Sequence, residues 1–157
     1  MTPPIGKPAP SFPLLTDTGA RLSLSDLKGK PVVLFFYPKD DTSGCTIEAC
    51  EFRDRFPKFR EINAVILGVS PDSVQSHAKF KAKFKLPYTL LADTEHKMAE
   101  AYDVWKQKSM FGRKYMGVER TTFLIDAAGK LRKIFPRVTP EGHAEAVEQA
   151  VKELLAP

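Results

Sequence analysis

The chain has 157 residues, 24 Lys+Arg, 19 Asp+Glu and a formal net charge of +5. At ~150 residues per domain, this length fits a single domain over 1–157, enough to bury roughly 70% of the surface of the unfolded chain. A hydrophobic share of 43% and a charged share of 27% exclude a disordered, collagen-like or disulfide-dense chain, and the mild basicity falls short of a dedicated nucleic-acid binder.

Prolines crowd residues 3–13, which reads as an extended lead-in. Residues 12–24 alternate around Thr16-Asp17-Thr18-Gly19 and predict an N-terminal β-hairpin. PVVLFFYP (31–38) is an apolar run without polar alternation, the pattern of a strand buried on both faces. Residues 46–56 read as a helix. AVILGVS (64–70) is a second buried strand. A helix follows over 73–84, with Phe80 and Phe84 four apart on its core side and the lysines of KFKAKFK (79–85) on a solvated face. YTLLAD (88–93) is a shorter strand and 95–102 a short helix. The basic stretch with Lys106, Lys108, Arg113 and Lys114 reads as a loop. TTFLID (121–126) and LRKIF (131–135) flank Ala127-Ala128-Gly129-Lys130 as a second hairpin. The last helix, over 141–155, sets Ala146, Val147, Ala150, Val151 and Leu154 on one face. Alternating strands and helices predict an α/β fold: a central mixed β-sheet flanked by helices, with the hairpin as an N-terminal extension. A thioredoxin-like arrangement satisfies this order.

The longest apolar run, 32–37, is far short of the ~18 residues that span a membrane. The N-terminus lacks a signal-peptide or transit-peptide pattern, so the expected compartment is the cytoplasm, where thiols are held reduced. No membrane or nucleic-acid partner is expected.

Only two cysteines occur, Cys45 and Cys50. Cys45 follows a buried strand and the polar loop Lys39 to Gly44. Asp41, Thr42 and Ser43 could each cap the next helix, and Gly44 would let the backbone turn tightly. Cys45 then falls in a helix's first turn at the carboxyl end of a central strand, where open α/β sheets place their sites. A helix N-terminus favours negative charge, and the thiolate is the reactive form of cysteine. A small buried hydrophobe is the alternative for such a residue. Five residues along an ideal helix mean ~7.5 Å of rise and ~140° of rotation, so the two Cα atoms lie ~9 Å apart. A disulfide needs them within ~7 Å. An intact helix therefore forbids the bond, leaving either no bridge or one that forms when the helix unwinds. The spacing is not that of a zinc site, and His77, His96 and His143 lie far from any Cys-x-x-Cys; no metal is expected, and the histidines read as surface or helix-face residues.

PKDDTSGC (38–45) resembles the peroxiredoxin pattern Pro-x-x-x-Thr/Ser-x-x-Cys, matched by Pro38, Thr42 and Cys45. CTIEAC (45–50) is similar to the peroxiredoxin Q, or bacterioferritin comigratory protein, subgroup. Residues 12–38 and 102–126 resemble that subgroup too, the latter around its active-site arginine, here Arg120. The subgroup usually has Pro where this chain has Ser43. The resemblance implies a thioredoxin-like fold and a peroxidase without a cofactor, reducing hydrogen peroxide or organic hydroperoxides. By that likeness Cys45 is the peroxidatic nucleophile, oxidised to a sulfenic acid, and Cys50 resolves it as a transient Cys45–Cys50 disulfide. Thioredoxin or a similar dithiol would reduce that bond, in a chain that need not dimerise. Arg120 would stabilise charge, Thr42 would hydrogen-bond the peroxide, Pro38 would shield the sulfur, and Glu48, one turn after Cys45, could orient Arg120. A thioredoxin-type reductase is a rival, opposed by the lack of Cys-x-x-Cys. A redox-sensing module using the same cysteines is the other.

Overall fold

A computed structural model describes residues 1–156. The first hairpin is short: strand β1 is Leu14–Thr16 and β2 is Arg21–Leu22, followed by a 3-10 turn over Leu24–Leu27. Strand β3, Val32–Phe36, is buried at every position. Helix α1, Ser43–Glu61, leads to β4, Val65–Ser70. Helix α2, Val74–Phe84, leads to β5, Thr89–Ala92, and the short helix α3, Lys97–Ala101. Strands β6, Trp105–Met110, and β7, Arg113–Val118, form a separate two-stranded sheet. Strands β8, Thr121–Ile125, and β9, Leu131–Phe135, precede the final helix α4, His143–Leu155.

Seven strands form one sheet in the order β2-β1-β5-β4-β3-β8-β9. Its centre, β3, β4 and β5, is parallel, while β8, β9, β1 and β2 join antiparallel. The sheet is mixed, as its residue pattern predicts. Alternation along β3 divides the core. Val33, Phe35 and Tyr37 pack with Ala49, Phe52 and Phe59 of α1, Phe80 of α2 and Val147 and Val151 of α4. Val32, Leu34 and Phe36 face the other layer, with Met98 and Ala99 of α3, Tyr102 and Phe123. Both faces of the central strands are covered, which is why those runs lack polar alternation.

Three expectations need correction. Helix α1 begins earlier than 46 and runs through Pro57 to Glu61. Proline removes one hydrogen bond there, but burial of Phe59 beyond it holds the last turn to the core. The basic stretch expected as a loop is the β6–β7 hairpin, with Lys108 opposite Tyr115 and Met110 opposite Arg113. On α4, Ala146 is exposed, and His143 and Ala144 take places on the buried stripe.

Candidate active site

Register brings the site together. Phe36 at the end of β3 pairs with Thr121 at the start of β8. Arg120, one residue before β8, therefore emerges at the sheet edge where the chain leaves β3 for α1. Its backbone is fixed there, since its carbonyl accepts from the Val138 N–H at 2.9 Å. Thr42 is the N-cap residue of α1, with extended backbone (φ −90°, ψ 159°), and Cys45 lies in the first turn. The helix's unpaired N–H groups and dipole thus favour negative charge near this sulfur. Cys45 and Glu48 are each only 1% exposed.

Arg120 links the two. Its Nη2 donates to Cys45 Sγ at 3.3 Å, and its Nη1 donates to Glu48 Oε1 at 2.7 Å. A planar fork does this where an ammonium could not, because its two donors diverge at fixed angles. Burial pushes the Glu48 carboxyl up to about 7, a rise that Arg120 opposes without cancelling. Of the carboxyl's two oxygens, Oε2 has no hydrogen-bond partner among the described residues. His143 Nε2 stands 4.0 Å from it and 2.8 Å from Thr122 Oγ1. Burial, helped by the charge of Arg120, holds the His143 imidazole down to about 4, so it is neutral at pH 7.

The remaining sequence candidates lie around this centre. Thr42 Oγ1 donates to the Lys39 carbonyl at 2.8 Å and makes no capping bond to the helix. Its lone pairs remain able to accept. Pro38 is half-buried at the end of β3. Gly44 is not at a tight turn: it lies inside α1, and Asp41 carries the left-handed conformation instead, at φ 60°. What Gly44 provides is room, since a Cβ there would stand 3.2 Å from Arg120 Nη2. Ser43 occupies the first position of α1. Cys50 lies farther along the same unbroken helix, half-buried, its thiol raised by burial, and both cysteines are free. Beside it the Tyr88 hydroxyl donates to the Ala49 carbonyl at 2.7 Å.

The histidines depart from expectation. Only His96 is near the surface, stacked on Trp105 with ring centroids 4.1 Å apart. His77 and His143 are buried. Periodicity carried that signal: His143 lies four residues before Val147, and His77 three before Phe80, each on a core-facing stripe.

A sulfur that takes oxygen from a peroxide needs donors where charge moves, first on sulfur and then on the leaving oxygen. Arg120 and Cys45 place such a donor beside a buried sulfur at the mouth of a thioredoxin-type sheet, an arrangement suited to thiol-dependent peroxide reduction. The AhpC/TSA family pattern matches residues 5–134, and the chain belongs to this family, as a peroxiredoxin. It is 54% identical over 154 residues to peroxiredoxin Bcp of Bacillus subtilis (strain 168), covering 98% of each chain. Among solved structures, a cysteine mutant of Xylella fastidiosa PrxQ superposes with a TM-score of 0.94 at 36% identity, covering 99% of each chain. The bacterioferritin comigratory protein of Xanthomonas campestris, whose alkyl peroxide reduction activity was studied in trapped intermediate and ligand complexes, superposes with a TM-score of 0.88 at 39% identity over 91% of each chain.

Proposed function

We propose that Cys45 is the peroxidatic nucleophile of a single-domain, monomeric, cytoplasmic peroxidase, that Cys50 is its resolving partner, and that thioredoxin or a similar dithiol restores both. The observation that carries this reading is the Nη2–Sγ hydrogen bond of 3.3 Å between Arg120 and Cys45 in the first turn of α1. The thiolate attacks one oxygen of hydrogen peroxide or an organic hydroperoxide. The O–O bond breaks, the second oxygen leaves as water or an alcohol after taking a proton, and Cys45 becomes a sulfenic acid. Arg120 neutralises charge on sulfur before the attack and on the leaving oxygen during it. Thr42, with its hydroxyl proton engaged by Lys39, accepts a hydrogen bond from the peroxide, and Pro38 limits water at the sulfur.

The resolving role of Cys50 rests on the likeness of CTIEAC to the two-cysteine subgroup, and geometry sets its condition. Cys50 attacks the sulfenic sulfur and expels water, which gives the Cys45–Cys50 disulfide. Both residues sit on one helix, whose intact form keeps their Cα atoms ~9 Å apart, so the first turns of α1 must open at each cycle. Two thiols of an external dithiol then exchange with the disulfide and close the cycle. An intramolecular bond needs no second subunit.

The test is repeated consumption of hydrogen peroxide with thioredoxin and its reductase. Wild type turns over many times, Cys45→Ser does not turn over, and Cys50→Ser is oxidised once and then stalls. Undiminished thioredoxin-dependent turnover by Cys50→Ser would overturn the resolving role. A wild type oxidised only once, with no thiol system able to reduce it, would favour a redox sensor.

A further inference from the structure

We propose that Cys45 and Glu48 share one ionisation across Arg120, and that His143 is the positioning residue through which the Glu48 share of that proton is set. This rests on Cys45 being the nucleophile.

The charges leave little choice. One guanidinium donates to both acids, to Cys45 Sγ at 3.3 Å and to Glu48 Oε1 at 2.7 Å. Both acids are almost wholly buried. With one of them ionised, the centre is neutral. With both ionised, a second negative charge sits out of water, close to the first and sharing one guanidinium for its hydrogen bonds, which like-charge repulsion and desolvation oppose, while burial disfavours the next cation, the Lys108 ammonium. Two neutral arrangements are therefore in competition. In one, Cys45 is a thiol and Glu48 a carboxylate; in the other, Cys45 is a thiolate and Glu48 a carboxylic acid. Only the second can attack a peroxide. Burial holds Glu48 near neutrality in just the range where this choice matters.

The surroundings favour placing the proton at Oε2. Among the described residues nothing forms a hydrogen bond with this oxygen. His143 Nε2, projecting from α4, stands 4.0 Å from it. The imidazole is neutral at pH 7 and so cannot hold Glu48 ionised as a second cation would. To accept a proton from Oε2 its nitrogen must close from 4.0 Å to hydrogen-bond distance, and Thr122 Oγ1, 2.8 Å away, must turn to release it. Other groups face the cluster. Glu51 on α1 discourages ionisation of Glu48, and the Tyr88 hydroxyl, just before β5 and kept neutral by burial, donates to the Ala49 carbonyl. Lys108 on β6 faces Arg120 and Cys45, its ammonium disfavoured by burial and by the guanidinium. None of these offers Oε2 a hydrogen-bond partner, which leaves His143 as the residue placed to do so.

The experiment is the rate of Cys45 oxidation by one equivalent of hydrogen peroxide, read as thiol loss against pH in the full-length chain. Shared about equally, the proton leaves about half of the molecules as thiolate between two titration steps. Wild type should show two inflections, with the intermediate rate near half of the alkaline plateau. Glu48→Gln, which keeps an oxygen for Arg120 but cannot ionise, should show one inflection and about a two-fold gain over that intermediate fraction. His143→Leu should displace the wild-type inflections yet leave the Glu48→Gln profile where it is. His143→Gln, whose amide oxygen can accept the same proton, should retain the two-step form and serves if the leucine variant does not fold. A single inflection in wild type, or equal displacement by His143 substitution in both backgrounds, would overturn the shared ionisation. Loss of thiol that does not depend on Cys45 would instead overturn its assignment as nucleophile.

Discussion

Two buried histidines face two buried carboxylates in this molecule, and only one of the pairs is fully bonded. At the foot of the loop that follows β3, Asp40 accepts from the Tyr37 hydroxyl at 2.6 Å and the Ser76 hydroxyl at 2.7 Å, and its Oδ2 lies 2.8 Å from His77 Nδ1. His77 Nε2 meets the Leu91 carbonyl at 2.9 Å, while the Asp40 N–H donates to Asp72, which also accepts from Ser70. Asp40, Asp72 and His77 would pass for a metal cluster by proximity, yet hydrogen bonds from their neighbours already engage them. The second pair, Glu48 and His143, leaves Oε2 without a bond among the described residues and binds its other oxygen to Arg120, which also donates to Cys45. A saturated network ties the Pro38 loop to α2 and β5 and acts as scaffold. An unsaturated one, on the proposed reading, keeps a proton available beside the reacting sulfur.

The sharpest way to separate the two regions is to cut each at its centre. Arg120→Met should lower the rate of peroxide reduction by ~100-fold or more, the usual effect of losing a charge-stabilising donor, with little change in melting temperature beyond the loss of its pair with Glu48. Asp40→Ala should do the reverse. Leaving buried hydrogen-bond partners unsatisfied costs roughly 1–3 kcal/mol, visible in urea unfolding, while the molecules that remain folded keep most of their rate. A large rate loss in the Asp40 variant at full folding would erase the distinction.

Titration sharpens it further. Glu48 has its folded-state value raised from 4.5 to about 7, so its contribution to stability is intact below pH 4.5 and is lost as pH rises through 7. His143 has its value lowered from 6.5 to about 4, so it destabilises the fold as pH falls from 6.5 through 4. The two slopes oppose each other between pH 4.5 and 6.5 and nearly cancel. Stability of Glu48→Gln, taken relative to wild type by denaturant unfolding at a series of pH values, should therefore rise by about 1.4 kcal/mol per pH unit across that window. His143→Leu should fall relative to wild type at a similar rate. Flat differences for both would mean that neither group is perturbed.

The smallest expected effect is at Gly44. A Cβ there crowds Arg120 Nη2 at 3.2 Å, so Gly44→Ala should push the guanidinium by a few tenths of an ångström. The rate should drop a few-fold, about 1 kcal/mol, while the helix gains slightly from alanine's better propensity. Unchanged rates would show that the arginine has room to adapt.

Much of this was legible in the residues and some was not. The buried strands announced themselves because β3, β4 and β5 are covered on both sides and leave no place for polar alternation. Cys45 and Thr42 stand in a motif on a strand-loop-helix passage and Arg120 in the separate likeness of 102–126, and the structure brings Arg120 to Cys45 although 75 positions separate them. The β6–β7 hairpin was illegible for a physical reason: most of its residues are exposed or half-exposed, so no hydrophobic period marks its strands. Gly44 was read as a turn residue, because a glycine beside a cap offers two explanations and only coordinates show the guanidinium above it. The Glu48–His143 pairing joins α1 to α4 across 95 positions, and no local pattern carries such a contact.

The central claim is that Cys45 and Cys50 exchange one oxidation between them through a helix that opens. The mass of the intact protein after one equivalent of hydrogen peroxide tests it directly. Loss of two hydrogens with the chain still monomeric is the expected result, since it marks a Cys45–Cys50 disulfide. A stable gain of one oxygen, or a disulfide-linked dimer, would contradict it.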